Sequence, residues 1–285
     1  MIKHLCVIGV GLIGGSLALA LKKAGYVEKV TGIGRSLENL QTAQQLSVID
    51  HYETDYASAL ADADMVFVSV PIGAMGDVFA QIKPHLKPGA IISDGGSAKQ
   101  QVIDAAREAL GSQIKQFVPG HPIAGTEKSG AEAAFDSLYK DRRVILTPLP
   151  ENSRADIDKV RAMWEKAGAA VDEMEARHHD LVLAGTSHLP HILAFALVDC
   201  LNKVEDVDEI FKYAAGGFRD FTRIASSDPV MWRDICLSNS DAILAMMQNY
   251  QQQIDELKQC IEQGDGESIL ALFNAAKAAR DNFCM

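Results

Sequence analysis

The sequence lacks most of what would tie it to a polyanion, an oxidising compartment or a metal. Lys and Arg number 27 against 38 Asp and Glu, a net charge of −11. A phosphate backbone or an anionic bilayer calls for a basic surface, so nucleic acid and membrane are not expected partners. The five cysteines, Cys6, Cys200, Cys236, Cys260 and Cys284, are odd in number and scattered, with no C-x-x-C and no Cys/His cluster at zinc spacing. They read as free thiols in a reducing cytoplasm, with no metal. The apolar run at the N-terminus, Leu5 to Ile8, is too short for a signal peptide and enters a glycine loop instead of a cleavage site. No stretch reaches the ~18 consecutive apolar residues of a membrane span, and repeats and low-complexity tracts are absent.

What is present is an ordinary globular balance, 48% hydrophobic and 23% charged over 285 residues, enough for one large domain or two modest ones. Short apolar runs alternate with helix-forming stretches up to about residue 173. Leu5 to Ile8, Val30 to Ile33, Met65 to Pro71, Ala90 to Asp94, Gln116 to Pro119, Arg143 to Thr147 and Ala169 to Val171 read as strands. Ser16 to Gly25, closing on glycine as a C-cap, Leu37 to Gln45, Gly73 to Ile82, Lys99 to Leu110 and Ile157 to Ala167 read as helices. That alternation implies βαβ units and a mainly parallel sheet. Beyond residue 173 the texture is helical almost to the end. The expected architecture is α/β, a Rossmann-type doubly wound domain over residues 1–173 followed by an all-helical domain over residues 174–285. In the clearest C-terminal helix, Asp241 to about Gln263, the apolar residues Ile243, Met247, Tyr250, Ile254, Leu257 and Ile261 recur at alternating spacings of 4 and 3. Such a narrow seam serves either packing within the chain or a subunit interface.

Gly9-x-Gly11-x-x-Gly14 sits between the first strand and the first helix, the context a dinucleotide fingerprint requires. Gly9 permits the turn, Gly11 lets a pyrophosphate approach the backbone, and Gly14 lets the helix pack on the strand. Leu12 and Ile13 complete the loop, and the helix N-terminus offers free N–H groups to phosphate. NAD binding calls for an acidic residue about 20 positions further on. That count lands on Gly34, followed by Arg35 and Ser36. A glycine leaves space for a 2′-phosphate, and Arg with Ser can bind it, which favours NADP over NAD. Glu38 remains an alternative partner for an NAD ribose. Val70 and Pro71 end the strand expected beneath the nicotinamide.

Of the eight histidines, His4, His51 and His85 read as surface residues. His121, in Pro119-Gly120-His121-Pro122-Ile123-Ala124-Gly125-Thr126-Glu127, lies just past an apolar strand, where ligands bind in such sheets. Its imidazole titrates near neutrality, which makes it a candidate general base. His188 and His191 flank Pro190 in Thr186-Ser187-His188-Leu189-Pro190-His191, without an evident third metal ligand.

Several of these pieces come in a recognisable order: Gly9 to Ser16; Asp94-Gly95-Gly96-Ser97-Ala98-Lys99; Gly120 to Gly130; Ser187-His188-Leu189-Pro190-His191; and Gly216-Gly217-Phe218-Arg219-Asp220-Phe221-Thr222-Arg223-Ile224-Ala225, followed by Met231-Trp232. In that order, over nearly the whole chain, the sequence resembles the prephenate/arogenate dehydrogenase family of tyrosine biosynthesis. The resemblance implies oxidative decarboxylation of a cyclohexadienol, to 4-hydroxyphenylpyruvate from prephenate or tyrosine from arogenate, with hydride transfer to NAD(P). It implies that His121 accepts the ring hydroxyl proton and that Ser97 bonds the same hydroxyl or the histidine. Ser97 also reads as the N-cap of the helix starting near Lys99. By the same resemblance Arg223 binds a substrate carboxylate, His191 touches substrate, and Thr126 and Glu127 bear on access or substrate choice. Trp232 reads as pocket wall or plain core, and Arg219 as a surface ion pair with Asp220 or Asp234. A cytoplasmic homodimer joined through the C-terminal helices is expected, with no segment left for a fused mutase or sensing domain. A β-hydroxyacid or imine reductase of similar build and a non-catalytic NADP-binding sensor are the alternatives. The histidine motif argues against both.

Overall fold

The computed structural model describes residues 1–205 and 207–283. The chain divides into two compact units, Met1–Ser240 and Asp241–Met285. In the first unit the order is β1 (Ile2–Ile8), α1 (Leu12–Lys23), β2 (Val27–Ile33), α2 (Leu37–Gln45), β3 (His51–Glu53), α3 (Tyr56–Leu60), β4 (Met65–Val68), α4 (Ile72–Ile82), β5 (Ile91–Asp94) and α5 (Gln100–Leu110). β6 (Gly120–Pro122), β7 (Arg143–Leu146), α6 (Arg154–Lys166) and β8 (Ala170–Glu173) follow. Then come α7 (Ala176–Leu183), α8 (Leu189–Asn202), α9 (Val207–Lys212), α10 (Gly216–Thr222) and α11 (Pro229–Ser238).

The five parallel strands run β3-β2-β1-β4-β5, so the order reverses at β1/β4 and opens a crevice at their carboxyl ends. β6, β7 and β8 form a second sheet, with β6 antiparallel to β7. A bridge from Ile92 to Phe117 brings the chain beside β5. The period of two along β1 and β4 explains the two cores. Leu5, Val7 and Phe67 face α1 and α6, where Trp164 packs edge-on against Phe67 and Tyr139. Cys6, Ile8, Val66 and Val68 face α4 and α5. Both faces are buried, as a parallel sheet requires.

Three expectations are corrected here. The strand expected at Gln116–Pro119 is displaced. Gln116 closes a 3₁₀ turn, and the pairing partners of β7 are Gly120 to Pro122, which puts His121 on the strand. His4 is buried, its Nε2 bonded to Thr31 Oγ1 at 2.8 Å. One helix is long and apolar enough, by length and composition, to cross a membrane: Ala176–Asn202, continuous from α7 through a π-helical turn at Ala184–His188 into α8. Helical continuity through that turn joins segments that Gly185 and Pro190 separate in sequence. One such helix is weak support for a span, and this one carries buried, hydrogen-bonded His179, Asp180 and His188.

The second unit holds α12 (Ser240–Gln263), which begins at its boundary, and α13 (Gly266–Phe283). Along the seam of α12, Ile243 is buried, while Met247, Tyr250, Ile254 and Ile261 are exposed in the single chain. Cys6, Cys200, Cys236 and Cys260 are free thiols; Cys284 lies outside the described residues.

Candidate active site

The crevice begins where β1 ends. Gly9 has φ +92° and donates its N–H to Ile33 O at 2.8 Å. A Cβ on Gly9 would lie 2.5 Å from Ser69 O, and one on Gly14 would lie 2.3 Å from Ser69 Oγ and 2.6 Å from Val7 Cγ1. At Gly11 a Cβ would meet nothing within 4 Å. Two glycines are therefore demanded by close packing, and the middle one faces open space. Gly11 is also the N-cap of α1, whose first turn has no side-chain cap and no acidic residue. Leu12 is buried, and the Ile13 carbonyl accepts the Tyr139 hydroxyl at 2.6 Å. This cradle fits a dinucleotide pyrophosphate.

Gly34, Arg35 and Ser36 lie exposed past β2. Ser36 Oγ caps α2 by accepting the Asn39 N–H at 3.1 Å. Asn39 bonds Val10 O at 2.7 Å and accepts the Ala131 N–H at 2.9 Å, tying the glycine loop to the segment after β6. Val70 and Pro71 lie beyond β4, which ends at Val68. Pro71 is the N-cap of α4, so the strand stops short of the expected Pro71.

At the carboxyl end of β5 a run of buried polar groups begins. Asp94 and Lys99 are fully buried and form an ion pair. Asp94 accepts the N–H groups of Gly96 at 2.8 Å and Gly120 at 3.0 Å, and Lys99 Nζ donates to Gly120 O at 2.8 Å. The residue before His121 is thus pinned at both its N–H and its carbonyl. His121 Nδ1 lies 2.9 Å from His179 Nε2, and His179 Nδ1 lies 2.8 Å from Asp180 Oδ1. Asp180 in turn accepts the N–H groups of Lys99 at 2.8 Å and Gln100 at 2.9 Å, the free donors at the start of α5.

This geometry corrects the reading of Ser97 as a cap. The N-cap of α5 is Lys99, without a side-chain bond, and the carboxylate that satisfies the helix comes from α7. Ser97 is left half-buried in the turn between β5 and α5.

Burial drives the titration of the histidines. It pushes His121 well below its ordinary value, reinforced by His179, Lys99 and His188. It also lowers His179, against the pull of the Asp180 hydrogen bond. Burial would raise the Asp180 carboxyl, but bonds from His179, Gln100 and Lys99 outweigh it and hold it low. His188 is pushed down to about 4 by burial, opposed by Asp180.

The helical wall supplies the rest. Asn239 Nδ2 donates to Asp180 O at 2.8 Å and to His188 Nδ1 at 3.1 Å. His191 donates from Nδ1 to Ser187 O at 2.9 Å and stacks on Trp232, centroids 3.7 Å apart. Burial lowers the His191 pKa, and the Arg223 charge lowers it further. Arg223 itself is exposed and has no ion pair among the described residues. The Trp232 indole N–H is buried without a hydrogen-bond acceptor. Asp234 pairs with its neighbour Arg233, not with the expected Arg219. Thr126 and Glu127 sit in the exposed loop after β6, where Thr126 Oγ1 accepts the Lys128 N–H at 3.2 Å. Neither bonds to the histidine cluster. No three His, Cys, Asp or Glu side chains are grouped to hold a metal among the described residues.

The sequence reading missed His179, Asp180 and Asn239, and took Lys99 only as a helix start. A signal existed at Asp94: a carboxylate closing an apolar strand is costly unless paired.

Comparison with known proteins agrees with this architecture. A family model described as prephenate dehydrogenase, nucleotide-binding domain, matches residues 17–173, and one described as prephenate dehydrogenase, dimerization domain, matches residues 175–275. The chain is 39% identical over 98% of its length to a cyclohexadienyl dehydrogenase of Zymomonas mobilis, 95% of which is covered. It is 38% identical over 96% of its length to a prephenate dehydrogenase of Bacillus subtilis, 74% of which is covered. Among solved structures, prephenate dehydrogenase from A. aeolicus in complex with hydroxyphenyl propionate and NAD+ superposes with a TM-score of 0.92 at 36% identity, covering 99% of each chain. The pyrroline carboxylate reductase of Plasmodium falciparum, at 15% identity and a TM-score of 0.51 over 86% of this chain and 98% of its own, shares the fold alone. The glycine cradle, the buried histidine at the sheet's carboxyl end and these full-length matches lead to one conclusion: the chain belongs to the prephenate dehydrogenase family of oxidoreductases.

Proposed function

We propose that the chain oxidatively decarboxylates prephenate, arogenate or both, with NAD(P) as hydride acceptor, in tyrosine biosynthesis. The observation that carries this reading is His121, a buried histidine held neutral at the carboxyl end of the sheet, beside the glycine cradle. Gly9, Gly11, Gly14 and the first turn of α1 would hold the pyrophosphate, with Val70 and Pro71 near the nicotinamide. When bound, NAD(P) supplies a two-electron acceptor.

His121 takes the proton of the ring hydroxyl, which drives electrons toward loss of the C–H hydrogen as hydride. The ring carboxylate leaves as CO2, the ring becomes aromatic, and the proton held by His121 returns to the phenolate. On this reading Ser97 bonds the ring hydroxyl or the histidine. Arg223 pairs with a substrate carboxylate, and His191 and the acceptor-less Trp232 N–H offer further contacts. Thr126 and Glu127, in the exposed loop, act on access.

For the cofactor we favour NADP. Gly34 leaves space, since a Cβ there would meet only Leu40 Cδ2 at 3.8 Å. Arg35 is exposed without an ion pair among the described residues, and the Ser36 hydroxyl proton is free to donate. We draw the functional boundary between residues 1–173 and 174–285 and place the enzyme in the cytoplasm as a homodimer. The exposed seam of α12 supports the dimer.

A steady-state matrix of both substrates against both cofactors, read by nicotinamide absorbance, tests the reading. Turnover with at least one substrate and higher kcat/KM with NADP are expected. No turnover with either substrate would refute the activity, and a strong NAD preference would refute the cofactor choice. His121→Asn should lower kcat by about 100-fold or more with cofactor affinity retained.

A further inference from the structure

We propose that His179 and Asp180 are positioning residues that fix the proton of His121 on Nδ1 and thereby leave Nε2 as the nitrogen that receives the substrate's proton. This rests on His121 being the base. The chain of hydrogen bonds from Asp180 through His179 to His121 fixes each proton in turn. The Asp180 carboxylate only accepts, and both its oxygens already take backbone N–H groups, from Lys99 at 2.8 Å and Gln100 at 2.9 Å. The nitrogen facing it at 2.8 Å, His179 Nδ1, must therefore carry hydrogen. A neutral imidazole has one N–H, so His179 Nε2 presents a lone pair. That lone pair faces His121 Nδ1 at 2.9 Å, and His121 must donate to it. The remaining nitrogen of His121, Nε2, is then unprotonated.

Neutrality of both rings is required, and their surroundings supply it. His121 is faced by His179, by the Lys99 ammonium across Gly120 and by His188, all of which oppose a positive charge on the ring. His179 is faced by Lys99, which opposes its charge, and by Asp180 and Asp94, which favour it; burial prevails. Asn239 clamps the same assembly from the end of α11, donating to the Asp180 carbonyl and to His188 Nδ1. When His121 gains a proton, its Nδ1–H already points along a hydrogen-bonded path to a carboxylate, so the imidazolium forms without reorganisation. No proton moves along this path. The transferred proton rests on His121 Nε2 until it is returned.

Nitrogen-15 NMR of histidine-labelled protein near neutral pH reads the proton position directly. The expected result is a protonated Nδ1 and an unprotonated Nε2 on His121, with the same ring showing mixed states in His179→Leu. Kinetically, His179→Leu should lower kcat by about 100-fold, with the cofactor KM within about twofold. His179→Gln, whose amide oxygen can accept the His121 Nδ1–H, should restore about tenfold of that loss. Cofactor binding by both variants confirms that they fold. A wild-type proton on His121 Nε2, or a His179→Leu enzyme within about threefold of wild-type kcat, would overturn the proposal. Failure of the underlying reading looks different: the proton position is as expected, yet His121→Asn retains turnover.

Discussion

His121, His179 and His188 share one consequence of burial: each has a folded-state pKa below its ordinary value. Protons therefore bind the unfolded chain more readily once the pH drops below about 6.5, and stability is full above that point and lost as the pH falls toward the folded values. For His188, lowered from 6.5 to about 4, the contribution is on the order of 3 kcal/mol. Urea melts should show a lower midpoint at pH 5 than at pH 7.5, and His188→Asn should shrink that difference. Equal midpoints at the two pH values would count against the burial argument. Arg223→Ala should raise substrate KM by about 10- to 100-fold with little change in kcat, because the proposed charge-assisted bond would be lost equally before and during reaction. Steady-state kinetics on the preferred substrate checks this. At this scale His121 was legible because Gly120 and Pro122 bracket it in a local motif. His179 and Asp180 were not, since their roles depend on partners 58 and 81 positions away.

Among the elements, α2 occupies Leu37–Gln45 as the sequence pattern predicts, and the α12 seam follows its spacing of 4 and 3. α2 is capped by the adjacent Ser36, and α12 carries its periodicity over 24 residues. β3 and β6, three residues each, carry too little pattern to read, and their pairing with β2 and β7 defines them. The π-helical turn at Ala184–His188 was equally hidden, although it re-phases α8 relative to α7 and leaves both His179 and His188 buried. The glycine loop shows how tightly an element junction can be specified. Gly14→Ala would put a methyl 2.3 Å from Ser69 Oγ and 2.6 Å from the Gly9 carbonyl, so α1 must move off β1. The expected outcome is at least about a tenfold loss of cofactor affinity and a lower melting temperature, on the order of 1–3 kcal/mol of stability. Gly11→Ala, with open space around it, should keep the melting temperature while still weakening the cofactor.

At the level of the whole molecule, the apolar seam of α12 bears on the subunit interface proposed for the C-terminal helices. Met247, Tyr250 and Ile254 are 38%, 41% and 45% exposed in the single chain. Ile254→Asp should shift sedimentation toward a monomer at micromolar concentration while far-ultraviolet circular dichroism keeps its helical signal. A persistent dimer would place the interface elsewhere. The same scale reinterprets the net charge of −11. Both proposed ligands are anions, so the proposed function requires a crevice more positive than the chain's overall balance, with Arg35, Arg223 and the α1 N-terminus as the groups proposed to supply that charge. Glycine spacing, the alternation of strands and helices and the motif around His121 were determined by the sequence itself, because each is set by residues adjacent in the chain. Which histidine touches which, which carboxylate caps α5 and which charges become neutral were decided only by the tertiary structure. Desolvation and hydrogen-bond geometry arise when β5, β6, α7 and α11 bring distant residues together in a buried space.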